Sequence, residues 1–318
     1  MKKIIPAALL ALLAGAAHAE LSIYGLIDLS YGKNIADDAA GVGATFHSGG
    51  DDGSSQGNSV TRFGIKGSTE VGTGVKANFK LESAGITSDG RVGSPGDAFF
   101  RRAAWAGLSS TNYGEVRLGR QDAVAFQTMI DFDLNGAADN ASAFGNAGVA
   151  AWGLPRVSHS LQYIAPKFGD FKLQLGYVPK DTAVGTTTKS SGSFGLTYAT
   201  GPIAVAVTGT SKSTEDGHTF TAVAGSYDLG VAKLVANYTD GGLNNKGYGV
   251  GVSAPIAGFT VGAQYGKNSD TKAAAYELFA NREIFKSTYA YLDIGHVNQD
   301  SVNSPKGNGY ALGIIYVF

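Results

Sequence analysis

The sequence predicts an all-β protein, a sixteen-stranded antiparallel β-barrel that spans a membrane. Three observations predict it. Apolar and polar residues alternate with a period of two over most of the chain, the pattern of strands with one greasy and one hydrated face. Short and long connections take turns between these runs, as in an up-and-down transmembrane barrel. Tyr310, Leu312, Ile314, Tyr316 and Phe318 keep the alternation to the last residue, where a solvated tail would be polar and frayed.

The first segment is a processing signal. Lys2 and Lys3 form a positive head, Ile4 to Ala14 an apolar run, and Ala17-His18-Ala19 a small-x-small cleavage site. The competing reading is a membrane helix, but spanning takes about 20 apolar residues. The expected domains are therefore a signal peptide over 1–19 and a barrel over 20–318. Losing the signal removes two lysines and no acid, so the net charge of −1 becomes −3. That excludes a strongly basic, nucleic-acid-binding surface. The chain has no cysteine, so an exported protein of this kind gains nothing from disulfides.

The strands follow in order. Ile23, Gly25, Ile27, Leu29 and Tyr31 share one face, against Tyr24, Leu26, Asp28 and Ser30. Phe63 and Ile65 oppose Arg62, Lys66 and Ser68. After Gly72-Thr73-Gly74, Val75, Ala77, Phe79 and Leu81 oppose Lys76, Asn78, Lys80 and Glu82. Sixteen such runs start near residues 22, 61, 75, 99, 115, 158, 171, 193, 203, 219, 232, 247, 259, 274, 287 and 309. The alternation blurs only near 287–298, where Tyr289 and Tyr291 oppose Leu292 and Ile294. The eight prolines are expected in the signal or between strands, because proline cannot donate to a ladder. Long connections run from Gly32 to Ser59, Arg120 to Val157 and Pro179 to Gly192.

A soluble sandwich would turn the apolar face inward and a membrane barrel would turn it outward. Sixteen strands make too large a sandwich. Tyrosines crowd the apolar faces near strand ends, and Tyr suits the boundary between acyl chains and water. Closing the barrel removes the unpaired edges that hydrocarbon does not tolerate.

A polar lumen sorts solutes by size and charge at its narrowest point. Arg62 lies on the polar face of its run, and Arg117 lies opposite Val116 and Leu118. Arg156, Ser158, Ser160 and Gln162 share a face. The long segment from Arg120 to Val157 contains Asp122, Asp131, Asp133 and Asp139. Folded inward, these acids would oppose the arginines across a narrow slot; left outside, they are ordinary solvated loop acids. Loops of this length are functional or disordered.

Certain segments together resemble the general, non-specific porins of Gram-negative bacteria, of the trimeric type common in Neisseria and Bordetella. They are Tyr24-Gly25 with Asp28, Arg62-Phe63-Gly64-Ile65-Lys66-Gly67-Ser68, and Arg102-Ala103-Ala104-Trp105-Ala106-Gly107-Leu108. Leu118-Gly119-Arg120, Ser160-Leu161-Gln162-Tyr163 and the terminal Phe318 complete the set. The resemblance implies a homotrimer in the outer membrane, among its lipids and lipopolysaccharide, and a third extracellular loop folded into the lumen. It implies a water-filled channel for passive diffusion of ions and small hydrophilic solutes, the alternative being a channel selective for a sugar or organic anion. It favours Arg102 over Arg101 as lumen-facing, places Arg120 in the constriction set, and has Phe318 read by the outer-membrane assembly machinery. At Leu26 and Ile164 the chain departs from relatives that carry basic lumen residues there.

No enzyme and no cofactor are expected. His47 and His218 fall in loops, and His159 points away from its neighbours Ser158 and Ser160 if all three are in a strand. His296 and Asp293 lie on opposite faces. The pairs Asp37-Asp38 and Asp51-Asp52 match no defined metal loop. The net charge favours cations and the basic wall favours anions. A focused local field outweighs net charge, so the expectation leans to anions.

Overall fold

The computed structural model describes residues 20–180, 188–301 and 303–318. The signal expected over 1–19 lies outside the described residues. The strands are β1 (Glu20–Lys33), β2 (Thr45–Ser48), β3 (Arg62–Gly72), β4 (Val75–Glu82), β5 (Ala103–Ser110) and β6 (Gly114–Asp122). Next come β7 (Arg156–Ile164), β8 (Phe171–Val178), β9 (Ser191–Thr200), β10 (Ile203–Thr210), β11 (Phe220–Asp228) and β12 (Lys233–Asp240). The last are β13 (Lys246–Ile256), β14 (Phe259–Asn268), β15 (Ala274–Phe285), β16 (Thr288–Val297) and β17 (Gly307–Val317). Every pairing is antiparallel between sequence neighbours, apart from the closing seam. The wall has sixteen positions, because β2 sits in line with β3 beside the upper half of β1, pairing over Leu29↔Ser48 to Gly32↔Thr45. No alternation marks β2, a four-residue strand inside a long loop.

The seam closes on β1. One edge pairs with β3 from Glu20↔Ser68 to Leu26↔Arg62, and the other with β17 from Leu26↔Val317 to Lys33↔Tyr310. Gly25 N donates to Phe318 O at 2.9 Å and Phe318 N returns the bond to Gly25 O at 3.0 Å. A side chain at Gly25 would meet Arg62 O at 2.5 Å and the Phe318 ring at 2.6 Å, so glycine is what lets the terminal ring lie over the seam.

The apolar face points outward. Leu21, Ile23, Leu108, Leu118 and Leu312 are exposed, whereas Asp28, Glu82, Gln264, Glu277 and Asp293 are buried inside. In water this arrangement would be inverted; in a bilayer it is the favourable one. No described helix is long and apolar enough to cross a membrane. Tyr291 explains the blurred stretch: it turns inward and its hydroxyl donates to Asp28 Oδ1 at 2.7 Å.

Two boundaries differ from expectation. β5 begins at Ala103, because Phe99 and Phe100 pack edge to face at 4.9 Å in the preceding loop. Pro255 lies within β13, paired with Thr260 beside the turn. Its missing donor is tolerated at a strand's end.

Candidate functional site: a constriction between loop and wall

The third long loop, residues 123–155, goes inside the barrel. The first loop carries α1 (Ile35–Ala39), and the third carries α2 (Val124–Met129), a 3-10 turn (Ile130–Phe132) and α3 (Ala143–Asn146). Met129, Phe132, Phe144, Val149 and Trp152 form a buried cluster with Ala206, Ala222, Ala224 and Val235 on the inner faces of β10 to β12. Burying an aromatic or aliphatic side chain in this way stabilises by about 1.5–3 kcal/mol each. The loop presses on the wall so closely that a Cβ at Gly266 would sit 2.7 Å from Ala143 O, and one at Gly195 2.0 Å from Thr128 Oγ1.

Buried polar groups pin the far side of the loop to β14, β15 and β16. Leu134 N donates to Gln264 Oε1 at 2.9 Å and Ala143 N to Glu277 Oε2 at 3.0 Å. Asn135 Nδ2 donates to Glu277 Oε1 and to Asp293 Oδ1, both at 2.9 Å. The first loop joins in: Asn58 Nδ2 donates to Asp293 at 2.9 Å, and Asn58 N and Ser59 N donate to Asp28 Oδ2 at 2.9 and 2.7 Å. Each would be costly to leave unpaired.

The opposite wall is basic. Arg102 Nε donates to Glu82 Oε1 at 2.7 Å, Lys80 Nζ lies 3.0 Å from Oε2, and Arg62 Nε lies 3.9 Å from Oε1. Tyr24 OH donates to Glu82 Oε2 at 2.7 Å. Arg62 also donates to Val60 O at 2.8 Å. Arg156 stands 3.0 Å from Asp122 Oδ1 and its guanidinium lies 5.1 Å from the centre of the Phe126 ring. Across from these side chains, Asp139 of the third loop sits in the fields of Arg102, Arg62 and Arg156. Its backbone N–H donates to Asn58 O at 3.0 Å.

The residues singled out from sequence separate into groups. Arg62, Arg102 and Arg156 come together, and Asp122 reaches them through Arg156. Arg102 faces inward against strand parity because it precedes the first ladder pair of β5. Arg117 also points inward, but it pairs with Glu115 at 2.7 Å and stacks on Trp105 at 4.5 Å. Arg120 stands elsewhere: the register shift between Gly119 and Gln121 leaves it bonded to Ser158 Oγ at 2.6 Å and to the Arg101 carbonyl. Asp133 is placed away from the arginines, accepting from Gln264 Nε2 at 3.0 Å and Asn135 N at 2.9 Å. Asp131 is exposed, with no partner among the described residues. One member, Glu82, was not singled out, and Asp139 was named only as one of four loop acids. Glu82 was visible on the polar face of its run, yet nothing local marked it as the hub of four partners. Asp139 differs from its neighbouring loop acids only in where the loop sets it down.

The first-loop acids serve the loop itself. Asp37 caps α1 in a reciprocal box with Asn34. Asp51 accepts from Ser48 N and Ser88 N, both at 2.8 Å, and Asp52 from Gln56 at 2.7 Å. Asp38 takes bonds from Lys33 and from Asn308 N, which hold its carboxyl down at about 2.

The sequence matches the Gram-negative porin family over residues 7–302. The chain belongs to that family. It is 32% identical over 291 residues to an outer membrane porin protein of Bordetella pertussis, covering 80% of this chain and 74% of that one. It is 28% identical over 335 residues to outer membrane porin protein 32 of Delftia acidovorans, covering 95% and 91%. The anion-selective porin from Comamonas acidovorans superposes with a TM-score of 0.73 at 23% identity, covering 95% of this chain and all of that one. OmpF of Salmonella typhi does so with 0.68 at 15%, covering 94% and 97%. The expected sixteen-stranded barrel is thus the porin fold, and this porin is a channel protein of the outer membrane.

Proposed function

We propose that this porin conducts small hydrophilic solutes passively and prefers anions, with the constriction formed by Arg62, Arg102 and Arg156 on one side and Asp139 on the other. The convergence of Arg62 and Arg102 on the single carboxylate of Glu82, with Arg156 beside them on Asp122, carries this reading. With Lys80 on the same carboxylate, four positive groups meet the three acids Glu82, Asp122 and Asp139, which leaves a net positive field that low-dielectric walls focus. The similarity to a porin named anion-selective supports the same sign. Asp122 tempers Arg156 alone. Arg117 and Arg120 act outside the narrowest point, and Asp131 is a lumen charge. Asp133 holds the loop in place.

The chain acts without catalysis, because passage through such a slot needs a field and a diameter and no reacting group. A homotrimer is the assembly we infer, supported by family membership and by bare apolar surface at the first loop, where Phe46 is 79% exposed and packs edge to face on Tyr31 at 5.2 Å. Phe318 serves as the assembly signal: its ring stays exposed to the lipid side while its backbone closes the seam.

The deciding experiment is a reversal-potential measurement in planar bilayers under a potassium chloride gradient. Anion preference is expected for the wild type, and a shift toward cations for Arg62→Gln, Arg102→Gln and Arg156→Gln combined. An unchanged potential in the triple variant would sink the assignment.

A further inference from the structure

From the Glu82 cluster toward the short turns, the inner wall carries a pair of lysines whose mutual arrangement the diffusion-pore reading does not use. Lys66 on β3 and Lys80 on β4 are directly paired across the ladder and both point into the lumen. Like charges set opposite each other destabilise a sheet. Yet the only acid within ion-pair distance among the described residues is Glu82, which reaches Lys80 and is already shared with Arg102 and Arg62. Lys66 has no carboxylate partner among them.

An aromatic ring seats the two lysines. Lys66 Nζ lies 5.2 Å from the centre of the Tyr24 ring and Lys80 Nζ 5.5 Å from it. The hydroxyl of Tyr24 is tied to Glu82. Its ring lies against β3 at Gly64, where an added Cβ would meet Tyr24 Cζ at 2.6 Å. A ring face attracts an ammonium group and holds it without cancelling its charge. Lys66 and Lys80 are therefore positioned, close together, and under-neutralised. That is the description of an anion site, since a doubly charged guest would relieve the repulsion between them.

We infer that Lys66 and Lys80, seated on Tyr24, form a second anion station that binds a small divalent oxyanion. Lys66 lies four residues along β3 from Arg62, about 13 Å of backbone at ~3.3 Å per residue, on the side of the short turns, while Lys80 reaches back to the carboxylate of Glu82 that Arg62 and Arg102 share. An anion leaving the three arginines meets it next. The inference rests on the anion-preferring reading of the constriction and adds a site with a class of ligand to it.

The test uses the full mature porin in planar bilayers, with inorganic phosphate at about pH 8 added to a chloride solution as blocker. In wild type, phosphate is expected to reduce the chloride current in a saturable way. Lys66→Gln alone, which leaves the Glu82 cluster intact, is expected to weaken that block several-fold while the reversal potential keeps its anionic sign, and Lys66→Gln combined with Lys80→Gln is expected to weaken it roughly tenfold, the scale of removing two nearby charges. Lys66→Arg with Lys80→Arg keeps both charges and is expected to keep the block. Unchanged block in the glutamine pair, or equal loss in the arginine pair, would overturn the station. A wild-type channel that prefers cations would instead overturn the constriction reading, whatever phosphate does.

Discussion

Arg102 donates to Glu82 at 2.7 Å across the ladder step where β4 ends and β5 has not yet begun. That carboxylate also meets Lys80, Arg62 and Tyr24. One acid thus sets both the posture of the basic wall and the fraction of its charge that a solute feels.

Glu82→Gln is expected to move the reversal potential further toward anions. The substitution leaves three cations without their shared partner, and lost charge-assisted bonds of this kind cost about 1–3 kcal/mol. Urea unfolding in lipid vesicles measures the second effect. A variant as stable as wild type and no more anion-selective would contradict the hub role.

Arg102→Gln and Arg117→Gln carry the same change in formal charge to different places. Arg117 is matched by Glu115 and stacked on Trp105, so its field is largely spent locally. The Arg102 variant is expected to shift selectivity several-fold more than the Arg117 variant in the same salt gradient. Equal shifts would show that total lumen charge governs, and that the slot has no special weight.

The third loop offers a matched pair of acids. Asp139→Asn removes the acid facing the arginines and is expected to strengthen anion preference. Asp133→Asn faces Gln264 and Asn135 instead, so selectivity is expected to hold while the loop loosens. Current noise and protease sensitivity of the loop report the loosening. A selectivity change from the Asp133 variant matching that of the Asp139 variant would refute this division.

Asp38 ties the first loop to β17 through Asn308. Its carboxyl is depressed from an ordinary 3.8 to about 2 by the bond from Lys33 first and those from Asn308 next. A depressed acid contributes stability above its unfolded value and loses it as pH falls through its folded one. Protection of the Asn308 amide from exchange is expected to persist at about pH 5 and to fail by about pH 1.5. Protection that survives the lower pH would mean that the carboxylate is not the tether.

Most of the wall was legible, because a period of two is a local property that each strand displays alone. Residues such as Ile23 against Tyr24, or Phe79 against Lys80, announce their faces without help from neighbours. What lay beyond reach depends on meetings between distant segments. Nothing near Asp133 distinguishes it from Asp139; the loop's path across the lumen does. A clue to that path was present in Ala204, Ala206, Ala222 and Ala224. Small apolar side chains fill inner positions where a wet lumen calls for polar ones, and Phe132, Phe144 and Trp152 are the bulk that complements them. The resemblance implies Arg120 in the constriction, and a register shift between Gly119 and Gln121, invisible to pattern reading, sets it apart.

The greasy patch beneath the third loop gives this membrane tube a miniature globular interior. Where that patch meets Ala206, Ala222, Ala224 and Val235, the inner wall is closed to water. Because the plug and the staves share one dry seam, they should melt together: a cavity cut at Phe144 would loosen the tube wall as well as the gate.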